Sequence, residues 1–358
     1  MQIVILGLSI TSSWGNGHAT TYRALARQLA ARGHAVTFLE RDAPWYAGNR
    51  DMPEPPFATT HLYTSLDELR EQHEGAVRTA DFVVVGSYVP EGIAVGEWVT
   101  GTAEGVTAFY DIDTPVTLAA LANGGVDYIT KALIPKYDLY LSFTGGPTLE
   151  RLEREFGANM ARPLYCSVDT RDYFPEASGA TWDLGYLGTY SDDRQPTLTE
   201  LMLEPARALR DRRFVVAGPQ YPDAIAWPAN VTRITHLPPR EHRAFYNSQR
   251  YTLNITRADM IRAGWSPSVR LFEAAACGTP IVSDFWEGLD EFFEPGRDIL
   301  IARSADDTEA YLHEVGEDER NEIGRRGRER VLARHTAAHR AEELESYALE
   351  ARSAGAGG

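Results

Sequence analysis

Short apolar runs that alternate with helical segments constrain the fold of this chain most strongly. Residues 1–7, 35–39 and 81–86 are mostly apolar, which is typical of parallel strands covered on both faces. Residues 19–32 and 66–79 instead carry apolar side chains at helical spacing. Strands that alternate with helices in this way predict a parallel sheet built from βαβ units.

The same alternation begins again near Thr181, so we predict two doubly wound α/β halves. The N-terminal half covers residues 1–165, a linker covers residues 166–178, and the C-terminal half covers residues 179–336. A last helix is predicted over residues 337–352. In the second half, strands are expected at residues 183–187, 213–217, 231–235, 251–255 and 280–283, and helices at residues 195–210, 239–248, 267–277 and 318–334.

The charge balance excludes one class of partner. The chain of 358 residues has 51 acidic and 35 basic side chains, a formal net charge of −16. A nucleic-acid polymer usually needs a basic surface, so none is expected as a partner. Of the basic residues only Lys131 and Lys136 are lysines, and the phosphate-binding GK[ST] motif is absent.

The two cysteines, Cys166 and Cys277, cannot build a disulfide framework, which favours a reducing compartment. The N-terminus lacks the basic start of a secretory signal. No run approaches 18 apolar residues, so no membrane span is expected. We therefore predict a cytoplasmic protein, and a homo-oligomer stays open.

The most informative stretch is WSPSVRLFEAAACGTPIVSD, residues 265–284. Ser266 suits a helix N-cap and Pro267 suits the first helical position. The predicted helix is otherwise apolar but carries Arg270 and Glu273 on one face. Buried charges are costly unless they are paired or bound to a ligand. The pattern thus predicts either an internal salt bridge between these two residues or a ligand site.

We favour the ligand interpretation because a helix N-terminus attracts anions. Arg270, with Ser266 and Ser268 beside it, is placed to contact a diphosphate. Glu273 lies about one turn deeper, where a carboxylate can accept hydrogen bonds from a ribose diol. The motif therefore predicts a nucleoside-diphosphate site in which Arg270 stabilises the leaving group.

Residues 270–284 and 287–302 resemble the nucleotide-sugar half of GT-B glycosyltransferases, most of all those related to the spore maturation protein CgeB. The resemblance covers about residues 180–335. It implies two Rossmann-like domains that face a central cleft, and a last helix, residues 337–352, that packs back on the N-terminal domain. It also implies sugar transfer without a metal or other cofactor, from a UDP- or dTDP-type donor. Related enzymes bind the donor ribose at the position of Glu273. They often carry an earlier Glu, and Trp265 stands there instead.

Other donor-side candidates follow the predicted strands of the second half, where ligands of parallel sheets bind. We expect Arg257, Arg262 and Arg270 to form one small basic site, and Trp265 to stack on the base or close the cleft. The remaining donor-side candidates are Gly188, Thr189, Tyr190, Gln220 and Asn254.

Acceptor-side candidates follow strands of the first half. His18 suits a general base, because its ordinary pKa lies near neutrality. Asp111 or Asp113 is expected to orient His18, to bind the acceptor or to act as the base. Two Asp residues alone make a weak metal site, so no metal is expected. The other acceptor-side candidates are Trp14, Asn16 and Gly145.

Two other functions stay open. A nicotinamide-dependent oxidoreductase would use Gly7, residues 15–17 and Glu40, but the glycine-rich fingerprint does not follow the first strand directly. A non-catalytic nucleotide- or sugar-binding protein is the other, because fold alone does not fix function. The acceptor, whether small molecule, glycan or protein, and the stereochemistry of transfer stay open as well.

Overall fold

The computed structural model describes residues 1–15, 17–177 and 179–355. The chain forms two compact units. Unit 1 comprises Met1–Cys166 and the C-terminal segment that begins at Ala337, and unit 2 comprises Ser167–Thr336. The two halves that the alternating pattern predicted are thus separate α/β units, and the last helix belongs with the first of them.

Unit 1 contains a seven-stranded parallel sheet of order β3-β2-β1-β4-β5-β6-β7. The strands β2 and β3 lie on one side of β1 and the later strands lie on its other side, so the order of the sheet reverses between β1 and β4. Its elements are β1 (Gln2–Gly7), α1 (His18–Ala31), β2 (Ala35–Arg41), α2 (Pro44–Ala47), β3 (Thr59–Tyr63), α3 (Leu66–Thr79), β4 (Phe82–Gly86), α4 (Gly92–Thr102), β5 (Val106–Asp111), α5 (Thr114–Ala122), a 3₁₀ turn (Ile134–Lys136), β6 (Leu139–Ser142), α6 (Pro147–Phe156) and β7 (Ala161–Pro163).

Both faces of this sheet are buried, as the apolar strands predict. Successive residues of β4 alternate between two cores. Val83 and Val85 pack into one apolar cluster, and Phe82 and Val84 pack into the cluster on the opposite face. The strand register aligns Leu6 of β1 with Leu39 on one side and with Val85 on the other.

Unit 2 contains a six-stranded parallel sheet of order β10-β9-β8-β11-β12-β13. Here the direction of strand addition changes between β8 and β11. Its elements are β8 (Trp182–Leu187), α7 (Gln195–Leu198), a π turn (Thr199–Leu203), α8 (Glu204–Ala208), β9 (Phe214–Ala217), β10 (Val231–Ile234), α9 (Pro239–Asn247), β11 (Gln249–Asn254), α10 (Ala258–Ala263), α11 (Val269–Ala276), β12 (Ile281–Ser283), α12 (Leu289–Phe292), β13 (Leu300–Ile301), α13 (Ala305–Glu314) and α14 (Glu317–Arg334).

Two helices of unit 2 differ from their predicted extents. The helix expected over residues 195–210 is broken by the π turn, just before Pro205, whose missing N–H cannot join an α-helical ladder. The helix expected over residues 267–277 begins only at Val269, because the backbone of Ser268 is extended. The prediction of Ser266 as N-cap and Pro267 as first helical residue is therefore wrong.

The last helix, α15 (Ala337–Gly355), completes the core of unit 1. Ala341, Leu344 and Ala348 are buried in the same apolar cluster as Leu25 and Leu29 of α1. Two ion pairs also join α15 to the rest of unit 1, one between Arg32 and Glu345 and one between Arg162 and Glu350. Among the residues that the structure describes, none of the helices combines the length and the apolar character needed to cross a membrane.

Candidate active site

The carboxyl ends of β8 and β11 in unit 2 meet where the order of the strands reverses. In open parallel sheets, this switch point is where ligands bind. Arg270, in the first turn of α11, bridges the ends of these two strands. Its Nε donates to the carbonyl oxygen of Leu187 at the end of β8 (2.6 Å), and its Nη1 donates to Oδ1 of Asn254 at the end of β11 (2.8 Å).

Arg270 is a buried cation held by neutral partners. The residue is 8% exposed, and its Cζ lies 4.9 Å from the centre of the Tyr186 ring. Over residues 1–15, 17–177 and 179–355, no carboxylate forms a direct ion pair with it, although its charge acts on the buried carboxyl of Asp284 and partly offsets the rise that burial causes in the pKa of that group. Its Nη2 has no acceptor among the same residues. The alternative of an internal salt bridge to Glu273 is therefore wrong. A buried charge that is not directly paired is unfavourable, so this position favours an anionic ligand.

Two glycine loops pack tightly beside this guanidinium. A Cβ on Gly188 would lie 2.6 Å from the Tyr186 hydroxyl and 3.1 Å from Nη2 of Arg270. A Cβ on Gly218, which has a φ of +141°, would lie 2.0 Å from the carbonyl oxygen of Gly188. The Tyr221 hydroxyl donates to that same carbonyl (3.1 Å). Only glycine fits either position, and the loops leave backbone within reach of a phosphate group.

Arg194 is a second cation at this site, and sequence reasoning missed it. Its guanidinium donates to the carbonyl oxygen of Thr189 (2.5 Å) and to Oγ of Ser191 (3.2 Å). Burial, and then the charges of Arg270 and Arg257, lower the pKa of Arg194. These arginines thus concentrate positive charge at the end of β8. The sequence signal was the position of Arg194 at the end of the loop that follows the first strand of the second half.

Asn254 organises the site without facing a ligand. Its side chain is fully buried, accepts a hydrogen bond from Oγ of Ser268 (2.7 Å) and donates to Oγ of Ser283 (2.9 Å). The expectation that Asn254 contacts the nucleotide-sugar donor directly is wrong. Its side-chain amide is already engaged in these two hydrogen bonds and in the one that Arg270 donates to it. Asn254 fixes the positions of Arg270 and Ser268 instead.

Glu273 lies one turn further along α11 in a polar cluster of its own. The Tyr246 hydroxyl donates to its Oε2 (3.0 Å), and Nδ1 of His242 lies 4.0 Å from the same oxygen. Burial, and then the charge of Glu273, raise the pKa of Tyr246 and of Tyr173. The carboxylate is therefore held by hydroxyl groups, and no arginine of the described chain pairs with it.

Arg262 and Arg257 differ from the expected basic site. The Arg262 side chain is 69% exposed and pairs with Asp259, so its assignment to a diphosphate site is wrong. Arg257 is also exposed, although its charge reaches Arg194.

Among the other donor-side candidates, Thr189 and Gln220 are exposed, Tyr190 is half-buried and Ser266 is buried. The Tyr190 hydroxyl donates to Asp192 (2.5 Å).

Unit 1 brings two of its acceptor-side candidates together at its own switch point. The ring of His18 meets that of Tyr88 edge-on, with 5.3 Å between centroids, and the Tyr88 hydroxyl donates to Oδ2 of Asp113 (3.1 Å). Burial lowers the pKa of His18 to about 4, so its imidazole is neutral at pH 7. Its Nδ1 is buried without a hydrogen-bond partner among the described residues. Tyr88 has a φ of +63°, and such strain often occurs at functional sites.

The other acceptor-side candidates are less favourable. Asp111 is fully buried and accepts hydrogen bonds from Tyr140 (2.6 Å) and Thr117 (2.9 Å), so the expectation that it contacts an acceptor is wrong. Gly145 is buried, and a Cβ there would lie 1.8 Å from the Tyr165 hydroxyl, so packing explains this glycine. Trp14 is exposed. Asn16 lies outside the described residues.

Glu40 argues against a nicotinamide site in unit 1. Its carboxylate is fully buried and accepts hydrogen bonds from the backbone N–H groups of Ile10 (2.6 Å) and Thr11 (3.0 Å). The hydroxyls of Thr11 and Ser9 also donate to it. It therefore ties down the loop after β1 and has no oxygen left for a ribose diol. In the part of the chain that is described, no group of three or more His, Cys, Asp or Glu side chains is placed to hold a metal ion.

Comparison with known proteins gives a family match over most of unit 2 and the first part of α15, and fold matches over nearly the whole chain. Residues 194–346 match a family described as glycosyl transferase-like. Curated protein sequences give no match. Sucrose-phosphate synthase from Thermosynechococcus elongatus is 15% identical, with a TM-score of 0.69 over 99% of this chain and 100% of that one.

Two further solved structures show the same likeness. HepE of Anabaena, in complex with UDP and glucose, is 10% identical, with a TM-score of 0.68 over 97% of this chain and 99% of that one. An α-glucosyltransferase in complex with UDP is 12% identical, with a TM-score of 0.70 over 98% of this chain and 100% of that one. These matches confirm the predicted architecture of two parallel-sheet α/β units.

Proposed function

We propose that this chain, a glycosyltransferase with the GT-B fold, transfers a sugar from a nucleoside-diphosphate sugar to an acceptor hydroxyl. The observation that supports this proposal most strongly is the position of Arg270, a buried cation at the switch point of unit 2 that forms no direct ion pair among the described residues. The solved structures with UDP favour a UDP-type donor over a dTDP-type one. The relationship to the CgeB-like glycosyltransferases is part of the proposal, and the acceptor is a small molecule, a glycan or a protein.

The donor binds along α11. Its diphosphate lies at the helix N-terminus, where Nη2 of Arg270 and the nearby Arg194 supply positive charge. Its ribose lies against Glu273, whose carboxylate is presented by Tyr246 and accepts bonds from the diol. Gly188 and Gly218 let the backbone approach the phosphates without a side chain in the way.

Bond cleavage places negative charge on the leaving diphosphate. Fixed guanidinium groups and helix N–H groups stabilise such charge in place before the reaction. In this proposal Arg270 and Arg194 take the part that a divalent cation plays in other enzymes, and transfer does not require a metal.

The acceptor binds against unit 1, and His18 or Asp113 takes the proton from its hydroxyl group. Support comes from their shared contact with Tyr88. The low pKa of His18 places its deprotonation near pH 4. If His18 is the base, the rate falls only as the pH drops through about 4, instead of near the ordinary histidine value.

Turnover measurements test this proposal. The wild-type chain is incubated with UDP-sugars, a panel of acceptors and EDTA, and release of UDP is followed. We expect turnover that EDTA does not abolish. His18→Ala or Asp113→Asn should reduce the rate by about 100-fold or more while UDP affinity is unchanged, because general-base catalysis contributes about 10²–10⁴-fold. UDP binding without turnover on any acceptor would favour the non-catalytic alternative.

A further inference from the structure

Two histidines of unit 1 lie side by side at the edge of its sheet. His61 belongs to the edge strand β3, and His73 belongs to α3, the helix that follows this strand. Their ring centroids are 4.9 Å apart, and the two ring planes are tilted by 45°. Neither residue belongs to the donor or the acceptor site proposed above, so the role of this pair is independent of the proposed function.

The ring nitrogens of the pair have no hydrogen-bond partners within the part of the chain that the structure describes. His73 is only 8% exposed, yet neither its ring nor that of His61 forms a hydrogen bond there. Most buried polar groups in proteins do form one, so a buried imidazole without a protein partner points to water or an ion. The His61 side chain is exposed, so the pair is accessible from solvent.

The electrostatic surroundings of His73 suit a metal ligand. Burial, and then the charge that His61 can carry, lower the pKa of His73, so its imidazole is mostly neutral at pH 7, as metal binding requires. The charge of Glu68 opposes this shift, which shows that a carboxylate lies near. That carboxylate is fixed by hydrogen bonds from the backbone N–H of Thr64 (2.7 Å) and from Nε2 of Gln72 (3.2 Å). The surroundings thus favour a neutral imidazole with a cation beside it.

The spacing of the two rings fits one shared ion. Zinc bonds to imidazole nitrogen at about 2.0–2.1 Å in tetrahedral geometry, which sets the centroids of two ligating rings about 5 Å apart. The observed 4.9 Å matches that distance. Imidazole suits Zn²⁺, Ni²⁺ and Cu²⁺, whereas Mg²⁺ and Ca²⁺ prefer oxygen ligands. Because the described residues place no third His, Cys, Asp or Glu in such a group, the protein supplies two ligands only.

We propose that His61 and His73 bind one transition-metal ion of the Zn²⁺ type, each through a ring nitrogen, and that water fills the other coordination positions. One ligand comes from the edge strand and the other from the helix, so the ion ties β3 to α3. In the sheet β3 pairs with β2 alone, and such edge strands need protection. The bound ion therefore stabilises unit 1 and has no part in the proposed reaction.

Isothermal titration calorimetry of the full chain with ZnCl₂, after removal of metals with EDTA and dialysis, tests this site. The wild type should bind one equivalent of Zn²⁺ and no Mg²⁺. His61→Ala should weaken Zn²⁺ binding by about 10-fold or more, since even groups that only support a ligand contribute that much to metal affinity. His73→Phe keeps a ring but removes both nitrogens and should show the same loss. His313→Ala removes an exposed histidine of α13 and should bind Zn²⁺ as the wild type does.

Thermal unfolding gives a second readout. Saturating Zn²⁺ should raise the Tm of the wild type by a few degrees and leave that of His61→Ala unchanged, because an ion that binds only the folded chain stabilises it. His61 is exposed, so His61→Ala should fold and decides the test even if His73→Phe does not fold.

Four results would overturn the inference. They are no binding of Zn²⁺ by the wild type, unchanged binding in His61→Ala, an equal loss in His61→Ala and His313→Ala, and binding of Mg²⁺ as tight as that of Zn²⁺.

Discussion

Two buried ionisable side chains that form no ion pair have different roles in this chain. Arg270 in unit 2 is held by a carbonyl oxygen and an amide. Asp111 in unit 1 is held by hydroxyl groups and by the backbone N–H of Asp113. Arg270 lies at a switch point, and its Nη2 has no hydrogen-bond acceptor among the described residues, so it can bind a ligand. The second is enclosed, and its effect is on stability.

Asp111 should make stability depend on pH. Burial raises the pKa of its carboxyl to about 7, so the folded chain keeps a proton that the unfolded chain loses near pH 4. The folded state then binds more protons between those values, and the free energy of unfolding falls as the pH rises through them. Asp111→Asn removes this contribution.

Urea unfolding at pH 5 and pH 8 measures the effect. The wild type should lose more stability between the two pH values than Asp111→Asn does. An equal loss in both proteins would show that Asp111 is ionised in the folded state throughout.

The sequence identified the charged residues of α11 but not their partners. The spacing of Arg270 and Glu273 was visible, because two charges stood out in an apolar helix. Their separate contacts, Arg270 with Asn254 and Glu273 with Tyr246, depend on strands and helices that lie close only in the folded chain. Arg262 was misassigned for the same reason, since local charge density does not reveal that Asp259 pairs with it.

At the scale of elements, the buried strands and long helices were predictable, whereas of the four edge strands only β10 was predicted. The strands β1, β4 and β8 appear as predicted because their apolar runs are distinct. The edge strand β3 reads TTHLY and is mostly exposed, so it carries no apolar signal. The short strands β7 and β13 have only three and two residues. Pairing with a neighbouring strand defines these elements, and a single sequence does not show pairing.

The helix α15 should stabilise unit 1 through one face only. Leu344 is 1% exposed in the core cluster, whereas Leu349 on the same helix is 50% exposed. Leu344→Ala should lower the free energy of unfolding by about 2–5 kcal/mol, the usual cost of truncating a buried leucine. Leu349→Ala removes the same atoms and should cost less than about 0.5 kcal/mol.

Denaturant unfolding followed by circular dichroism compares the two variants. Similar losses of stability in both, or none in Leu344→Ala, would contradict the packing of α15 as the structure gives it.

For the whole molecule, both units use their sheets in the same way. Unit 1 places His18 and Asp113 at the β1–β4 switch point, and unit 2 places Arg270 and Arg194 at the β8–β11 switch point. The restart of the strand–helix pattern near Thr181 was enough to predict two such units. The net charge of −16 gave the background against which a small group of arginines stands out. In the structure, this small group of arginines includes Arg194 and leaves out the exposed Arg262.

The most direct test of the central claim is the affinity of UDP for the wild type, Arg270→Gln and Arg262→Gln, measured by calorimetry. Arg270→Gln should weaken binding by about 10–100-fold, since a charge-assisted contact to phosphate contributes about 1.5–3 kcal/mol. Arg262→Gln, which removes an exposed guanidinium paired with Asp259, should bind UDP as the wild type does. Equal affinity of the wild type and Arg270→Gln would contradict a diphosphate site at Arg270.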